Sequence, residues 1–292
     1  MNLALIFAIA SPLLFGIMNI LDKYVVSHRV KKPMGFAVVV AWFTMLVGII
    51  IALFVNWNGI DFNWLIFPLI IGVIGGVNIF LYYIVMQKED ASHMVGLSYL
   101  YPIIVVLLSF FILNERLSWP GYLGLFLVLM GVVTISIRLK QIKLKAGLLM
   151  IIFLIILMAV WEFLIKIATI KLSIWQAFAI VSIVNGITAS FFLLSPKIRS
   201  DFFSEIKNFK WSFLTETFTI LGALTLYFAM SRLPATVVSS IAAIQPMAVL
   251  FYERIADNIF GKMQRDHLLL PKLGSILLIV IGIILLSIAS GR

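Results

Sequence analysis

The chain has no cysteine and only three histidines. The first absence excludes disulfides, a thiolate nucleophile and cysteine-ligated zinc or iron–sulfur centres. The histidines, His28, His93 and His267, fall in or beside predicted loops, and no His-Glu-x-x-His pattern joins any of them. The sequence also lacks a phosphate-cradling Gly-x-x-x-x-Gly-Lys loop, which argues against ATP-driven work by this chain alone. No catalytic constellation, metal site or cofactor is expected. Charge is scarce too. Asp, Glu, Lys and Arg supply 12% of the residues, against about a quarter in a soluble domain.

Apolar residues fill the gap, at 63% of 292. A membrane-spanning helix needs about 20 mostly apolar residues, because the hydrocarbon layer is about 30 Å thick. Ten such stretches run in series, near 2–21, 34–55, 64–86, 91–113, 117–137, 146–165, 172–194, 211–231, 234–252 and 271–289. The connections are too short and too few to solvate a large soluble core. Strand-length alternation is absent, and open sheets cannot span lipid, so the spans are helices. The first span has no cationic stretch before it and has a repeat partner, so it is read as a mature helix rather than a signal peptide.

The net charge of +10 is distributed unevenly. Seventeen of the 22 Lys and Arg residues lie in the loops after spans 1, 3, 5, 7 and 9, and five on the other side. The positive-inside rule makes the first side cytoplasmic and puts both termini outside. The excess then describes orientation in a plasma membrane, and no nucleic-acid partner is expected.

The two halves of the chain resemble each other. Leu81–Lys88 matches Thr225–Arg232 at an offset of 144, aligning Tyr83 with Tyr227 and Pro102 with Pro246. Lys23 meets Lys166 at 143, and Gly131 meets Gly282 at 151. The halves are 1–143 and 144–292, the second with an inserted charged segment at 253–270 that is expected to hold a short helix. Five spans is an odd number, so the second half enters the membrane inverted. Inverted repeats build many secondary transporters, with the substrate site at the midplane between them.

The segment Tyr82–Ser136 carries Lys88-Glu-Asp-Ala-Ser92, Pro102, Leu113-Asn-Glu-Arg-Leu-Ser118 and Gly131-Val-Val. It resembles the EamA-type domain of the drug/metabolite transporter superfamily. Pro234-Ala-Thr236, Pro246 and Gly282 repeat the likeness more weakly in the second half. The resemblance implies an all-α membrane protein of ten transmembrane helices in two inverted five-helix repeats. It implies a central cavity among spans 1, 3, 4, 6, 8 and 9, with spans 5 and 10 outside. It also implies transport of amino acids, sugars, nucleotide sugars or toxic compounds, with both termini cytoplasmic, the reverse of the charge count.

Ionisable groups inside a span are costly and mark function. Glu162 in span 6 and Glu216 in span 8 stand out as the acidic residues well inside a span. A carboxylate in a poorly solvated cavity is suited to proton coupling. Glu162 either binds a proton or substrate amine, or pairs with Lys166 one turn on. Glu216 either faces the cavity or snorkels toward Lys210. Asn19 is the repeat partner of Glu162. Asn78 and Tyr82 share a face of span 3 and are cavity candidates, whereas Asn185 in span 7 is read as a packing residue. Pro102 and Pro246 are expected to kink spans 4 and 9, placing Tyr99 and Gln245 where they can contact substrate. Trp42 and Trp161 are candidates for stacking on it. Glycines at Gly72, Gly76, Gly124, Gly131, Gly274 and Gly282 permit close helix approach, within a monomer or in a homodimer.

Overall fold

The computed structural model describes residues 3–88, 101–136, 147–260 and 270–290. All regular structure among them is helical. The first half contributes α1 (Leu3–His28), α2 (Pro33–Phe54), α3 (Ile66–Lys88), α4 (Tyr101–Ile112) and α5 (Trp119–Ser136). The second contributes α6 (Gly147–Lys171), α7 (Ile174–Phe191), α8 (Pro196–Glu205), α9 (Phe209–Arg232), α10 (Ala235–Ala242), α11 (Gln245–Phe260) and α12 (Leu270–Ser290).

Among the described residues six helical stretches are long and apolar enough to cross a membrane, and four shorter apolar helices lie at 101–112, 119–131, 235–249 and 277–286. Large apolar side chains point outward all round the bundle. Leu53, Phe54, Phe111 and Trp119 are each more than 70% exposed. A soluble surface does not carry a belt of that kind, and the chain is a membrane protein.

Local chemistry explains the helix ends. Pro33 opens α2 at a position where a missing N–H costs nothing. Ser173 and Gln176 cap α7 reciprocally, each side chain satisfying the other residue's backbone N–H. Three features differ from the sequence expectation. The loop after span 7 holds an amphipathic helix, α8, with Asp201 and Glu205 turned inward. Span 9 is interrupted just before Pro246. It stops at Ala242 and restarts at Gln245, because a proline lacking its N–H is tolerated in a first turn and not in a helix interior. Its second piece runs straight on to Phe260, so the expected short helix begins as part of α11; residues 261–269 lie outside the described residues.

The packing pairs helices across the two halves. α1 packs on α9, and α3 on α6. α2 crosses α7, α4 crosses α10, and α5 lies along α12. Glycines set the closest approaches. A Cβ at Gly124 would lie 2.6 Å from the carbonyl oxygen of Gly282, and one at Gly131 would lie 2.7 Å from that of Ser275. Gly72 and Gly76 meet Val184 and Thr188 in the same way. These approaches are all within one chain. Gly274, expected to do the same, has nothing within 4 Å.

The same aromatic pair occurs once in each half. Phe36 and Tyr83 meet edge to face at 6.0 Å, and Phe178 and Tyr227 at 5.8 Å. Hydrogen bonds then tie loops together at both ends of the bundle. At the first end Glu205 Oε1 accepts from the backbone N–H of Lys31 and Lys32, at 3.0 and 2.9 Å. At the second end Gln176 donates to the carbonyl of Asn56, and Glu115 accepts from the N–H of Ala235 and Thr236, both at 2.9 Å.

Candidate functional site

A cavity of about 280 Å³ lies inside the bundle, lined by both halves. That is the size range of a small-metabolite pocket, roughly 300 Å³ and upward. Helical spacing builds its walls. Asn19 and Asp22 are three residues apart on α1, Asn78 and Tyr82 four apart on α3, and Phe178, Ser182 and Asn185 form a stripe on α7. Glu216, Thr219, Ala223 and Tyr227 make a longer stripe on α9.

Three carboxylates face this space, in two groups. Asp22 and Glu216 are close enough to act on each other electrostatically. Tyr82 Oη lies within hydrogen-bond distance of Asn19 Oδ1, at 3.2 Å, and of Asp22 Oδ2, at 3.3 Å. Tyr83 donates to Asp22 Oδ1 over a long 3.4 Å, and Thr215 also hydrogen-bonds Asp22. Glu216 accepts from Thr44 at 2.6 Å and from Thr219 at 3.2 Å. The second group is Glu162, which accepts from Ser239 and from Tyr101. Gln245 lines the cavity as well.

Every partner so far is uncharged, and no Lys, Arg or His lines the cavity among the described residues. Lys166 does not pair with Glu162. Its ammonium donates to the carbonyls of Met230 and Leu233, at 2.8 and 2.7 Å, satisfying the free C-terminal end of α9. Glu216 does not snorkel toward Lys210, whose ammonium lies 5.5 Å from the Trp211 ring centre. Trp161 also lines the cavity, with three polar atoms that have no hydrogen-bond partner among the described residues: Asn78 Oδ1, Asn185 Oδ1 and Tyr227 Oη. A buried polar atom left bare costs about 1–3 kcal/mol. Three of them round one cavity mark it as a place where a ligand or water belongs.

Of the residues singled out in the sequence, Asn19, Asn78, Tyr82, Trp161, Glu162, Glu216 and Gln245 line this one cavity. Tyr99 lies outside the described residues. Trp42 is not in the wall. It is on the outer face, 36% exposed, with its indole N–H on Ser190 Oγ at 2.9 Å. Two further residues line the cavity that the sequence reading did not assign to it. Asn185 faces the cavity, because α2 and α7 cross close enough for both to contribute. Asp22 escaped notice because the apolar run of span 1 ends at residue 21, just before the first charges, whereas α1 continues to His28.

The sequence pattern of the EamA-like transporter family matches residues 2–137. An uncharacterized protein of Methanocaldococcus jannaschii is 30% identical over 142 residues, which are 47% of this chain and 98% of that protein. A solved crystal structure of a protein at 16% identity superposes with a TM-score of 0.67, covering 99% of this chain and 98% of that one. At that identity the likeness speaks for the fold alone. The chain belongs to the EamA-like transporter family.

Proposed function

We propose that the chain is a secondary transporter that moves a small organic metabolite across the plasma membrane by alternating access, in the direction of export. Its ten spans are two inverted five-helix repeats, 1–143 and 144–292. The observation that carries this reading is the cavity itself. It is lined by both halves and holds carboxylates whose hydrogen-bond partners are uncharged among the described residues. Protons are the proposed coupling ion, exchanged at Glu162 and at Glu216.

Packing supports the repeat. At the offset of 151, Gly124 corresponds to Ser275 and Gly131 to Gly282. The approach of Gly124 to Gly282 therefore maps onto the approach of Gly131 to Ser275 when the halves are exchanged. The α1–α9 contact maps onto α6–α3 in the same way. A relative whose whole length matches half of this chain fits a duplicated unit. The charge count supports extracytoplasmic termini.

The test is counterflow. Purified protein in liposomes preloaded with an unlabelled metabolite should accumulate its labelled form transiently, and a proton gradient should drive the accumulation. Flux that neither saturates nor shows counterflow would identify a channel. For orientation, a reporter fused after Arg292 that is active only in the cytoplasm would reverse the topology.

A further inference from the structure

The three carboxylates are not evenly spread along the cavity. Asp22 lies six residues before His28 and Glu216 seven residues after Phe209, so each is about 10 Å from the first end of the bundle. Glu162 lies nine residues before Lys171, about 13 Å from the second end, and fifteen residues from the start of α6. The ends are identified by their loops, with Lys31 and Lys32 on Glu205 at the first and Asn56 on Gln176 at the second. At the helical rise Glu162 is about 22 Å from the first end, so the axial separation between the two acidic stations is roughly 12 Å.

The space between them has a different chemistry. Its walls are apolar and aromatic, with Phe15, Met158 and Trp161 among them. Tyr227 is 1% exposed, lines the same cavity and leaves its hydroxyl bare. A single cation would be answered at one station and leave the other unmatched. A substrate carboxylate would meet like charge at both. Each ionised carboxylate in low dielectric needs a counter-charge or a proton. Aromatic faces add attraction for a cation close by.

We propose that the occupant is an elongated organic dication, an α,ω-diamine, with one ammonium on Glu162 and the other on the Asp22–Glu216 pair. The hydrocarbon spacer lies along the aromatic walls. An ammonium–carboxylate bond takes up about 2.8 Å at each end, so a gap of roughly 12 Å leaves roughly 6–7 Å between the two nitrogens, which suits a spacer of about four to five carbons. This rests on the reading of the cavity as a transport site. It gives that site a charge number and a length.

The probes are 1,3-diaminopropane, 1,5-diaminopentane, 1,8-diaminooctane and pentylamine. Binding to the purified protein is read by thermal shift, and exchange by counterflow of labelled 1,5-diaminopentane in liposomes. The expected result is an optimum at the five-carbon diamine, held at least tenfold more tightly than pentylamine. Glu162→Gln should bring the diamine within about twofold of pentylamine while pentylamine binding persists at the other station. Asp22→Asn, which removes charge from the opposite station, should do the same and guards against one variant that fails to fold. Equal binding of the diamine and pentylamine, or no dependence on spacer length, overturns the proposal. If the amines are inert but neutral or zwitterionic metabolites exchange, the dication fails and the transporter stands. If no solute in either group shows counterflow, the transport reading fails and the proposal with it.

Discussion

Tyr83 and Tyr227 hold matching positions in the two halves, and both are 1% exposed. Each stands edge-on to a phenylalanine at about the same distance. The resemblance stops at the hydroxyl. Tyr83 donates to Asp22, whereas Tyr227 has no partner. At the offset of 143 the residue corresponding to Asp22 is Ile165, fully buried. The difference recurs round the cavity. Glu162 corresponds to Asn19, Glu216 to Gly72, Asn78 to Gly222 and Gln245 to Tyr101. The halves agree where residues hold helices together and differ where polar groups face the cavity. A duplicated frame can keep its packing while one copy of each polar position takes on the chemistry.

The comparison breaks most sharply at the carboxylates. Neutralising Asp22 and Glu216 together, as Asp22→Asn with Glu216→Gln, should cut transport at least tenfold in a counterflow assay, with little change in thermal stability. The amides keep the shape, and each can accept from one hydroxyl at its oxygen while its NH2 donates to another of the hydroxyls that now contact the carboxylates. Installing an acid on the other side, as Ile165→Asp, should instead destabilise the fold by several kcal/mol. It buries a charge in a place packed by apolar side chains. A variant that folds normally and transports better would mean that the halves are chemically interchangeable.

How much of this was legible in the sequence depends on the physical signal. Glu162 and Glu216 could be found because a charge in an apolar run is conspicuous. Asp22 could not, because it stands beside Lys23 where the apolar run stops, and charge alone does not show whether the helix stops too. A later signal existed: the first proline after it is Pro33, where α2 begins. The proposed repeat rests on paired Tyr, Pro and Gly residues, which are packing positions. The helix α8 was not legible, because its apolar faces are short and set among charges. Which way a residue faces was hardest in α2. That helix is apolar all round, so no periodicity distinguishes a cavity wall from a lipid-facing surface.

The next contrast lies along α5 and α12. Gly124→Ala should cost about 1–3 kcal/mol, because its Cβ would meet the carbonyl oxygen of Gly282 at 2.6 Å and neither backbone can retreat cheaply. Gly274→Ala on the same interface helix meets nothing within 4 Å and should be neutral or stabilising by up to about 1 kcal/mol. Denaturation in one detergent, read for both variants, decides it. Equal effects would mean that close approach at glycine does not hold this pair of helices.

A smaller effect separates the two tyrosines. Tyr83→Phe removes a hydroxyl that is bonded to Asp22 and should lower stability by about 1 kcal/mol. Tyr227→Phe removes a bare one and should leave the empty protein unchanged or slightly more stable. If the Tyr227 hydroxyl contacts substrate, the same change should weaken substrate binding severalfold with no loss of stability. Opposite signs in thermal shift and binding would distinguish a ligand contact from a packing residue.

The least effect is expected at Trp42. A tryptophan in an apolar span suggests stacking on a substrate, but its position outside the bundle offers another account. Its N–H reaches Ser190 on the neighbouring α7, and its ring lies 4.9 Å from that of Phe202 on α8. The side chain therefore joins α2 to the amphipathic helix that packs against it. Trp42→Phe keeps most of the ring contact and loses one half-exposed hydrogen bond, worth about 0.5–1 kcal/mol. Transport should be unchanged under conditions where Trp161→Phe weakens it, since Trp161 lines the cavity and Trp42 does not. Equal losses from the two would place α2 with its outer face toward the substrate path, and the crossing of α2 over α7 would have to be redrawn.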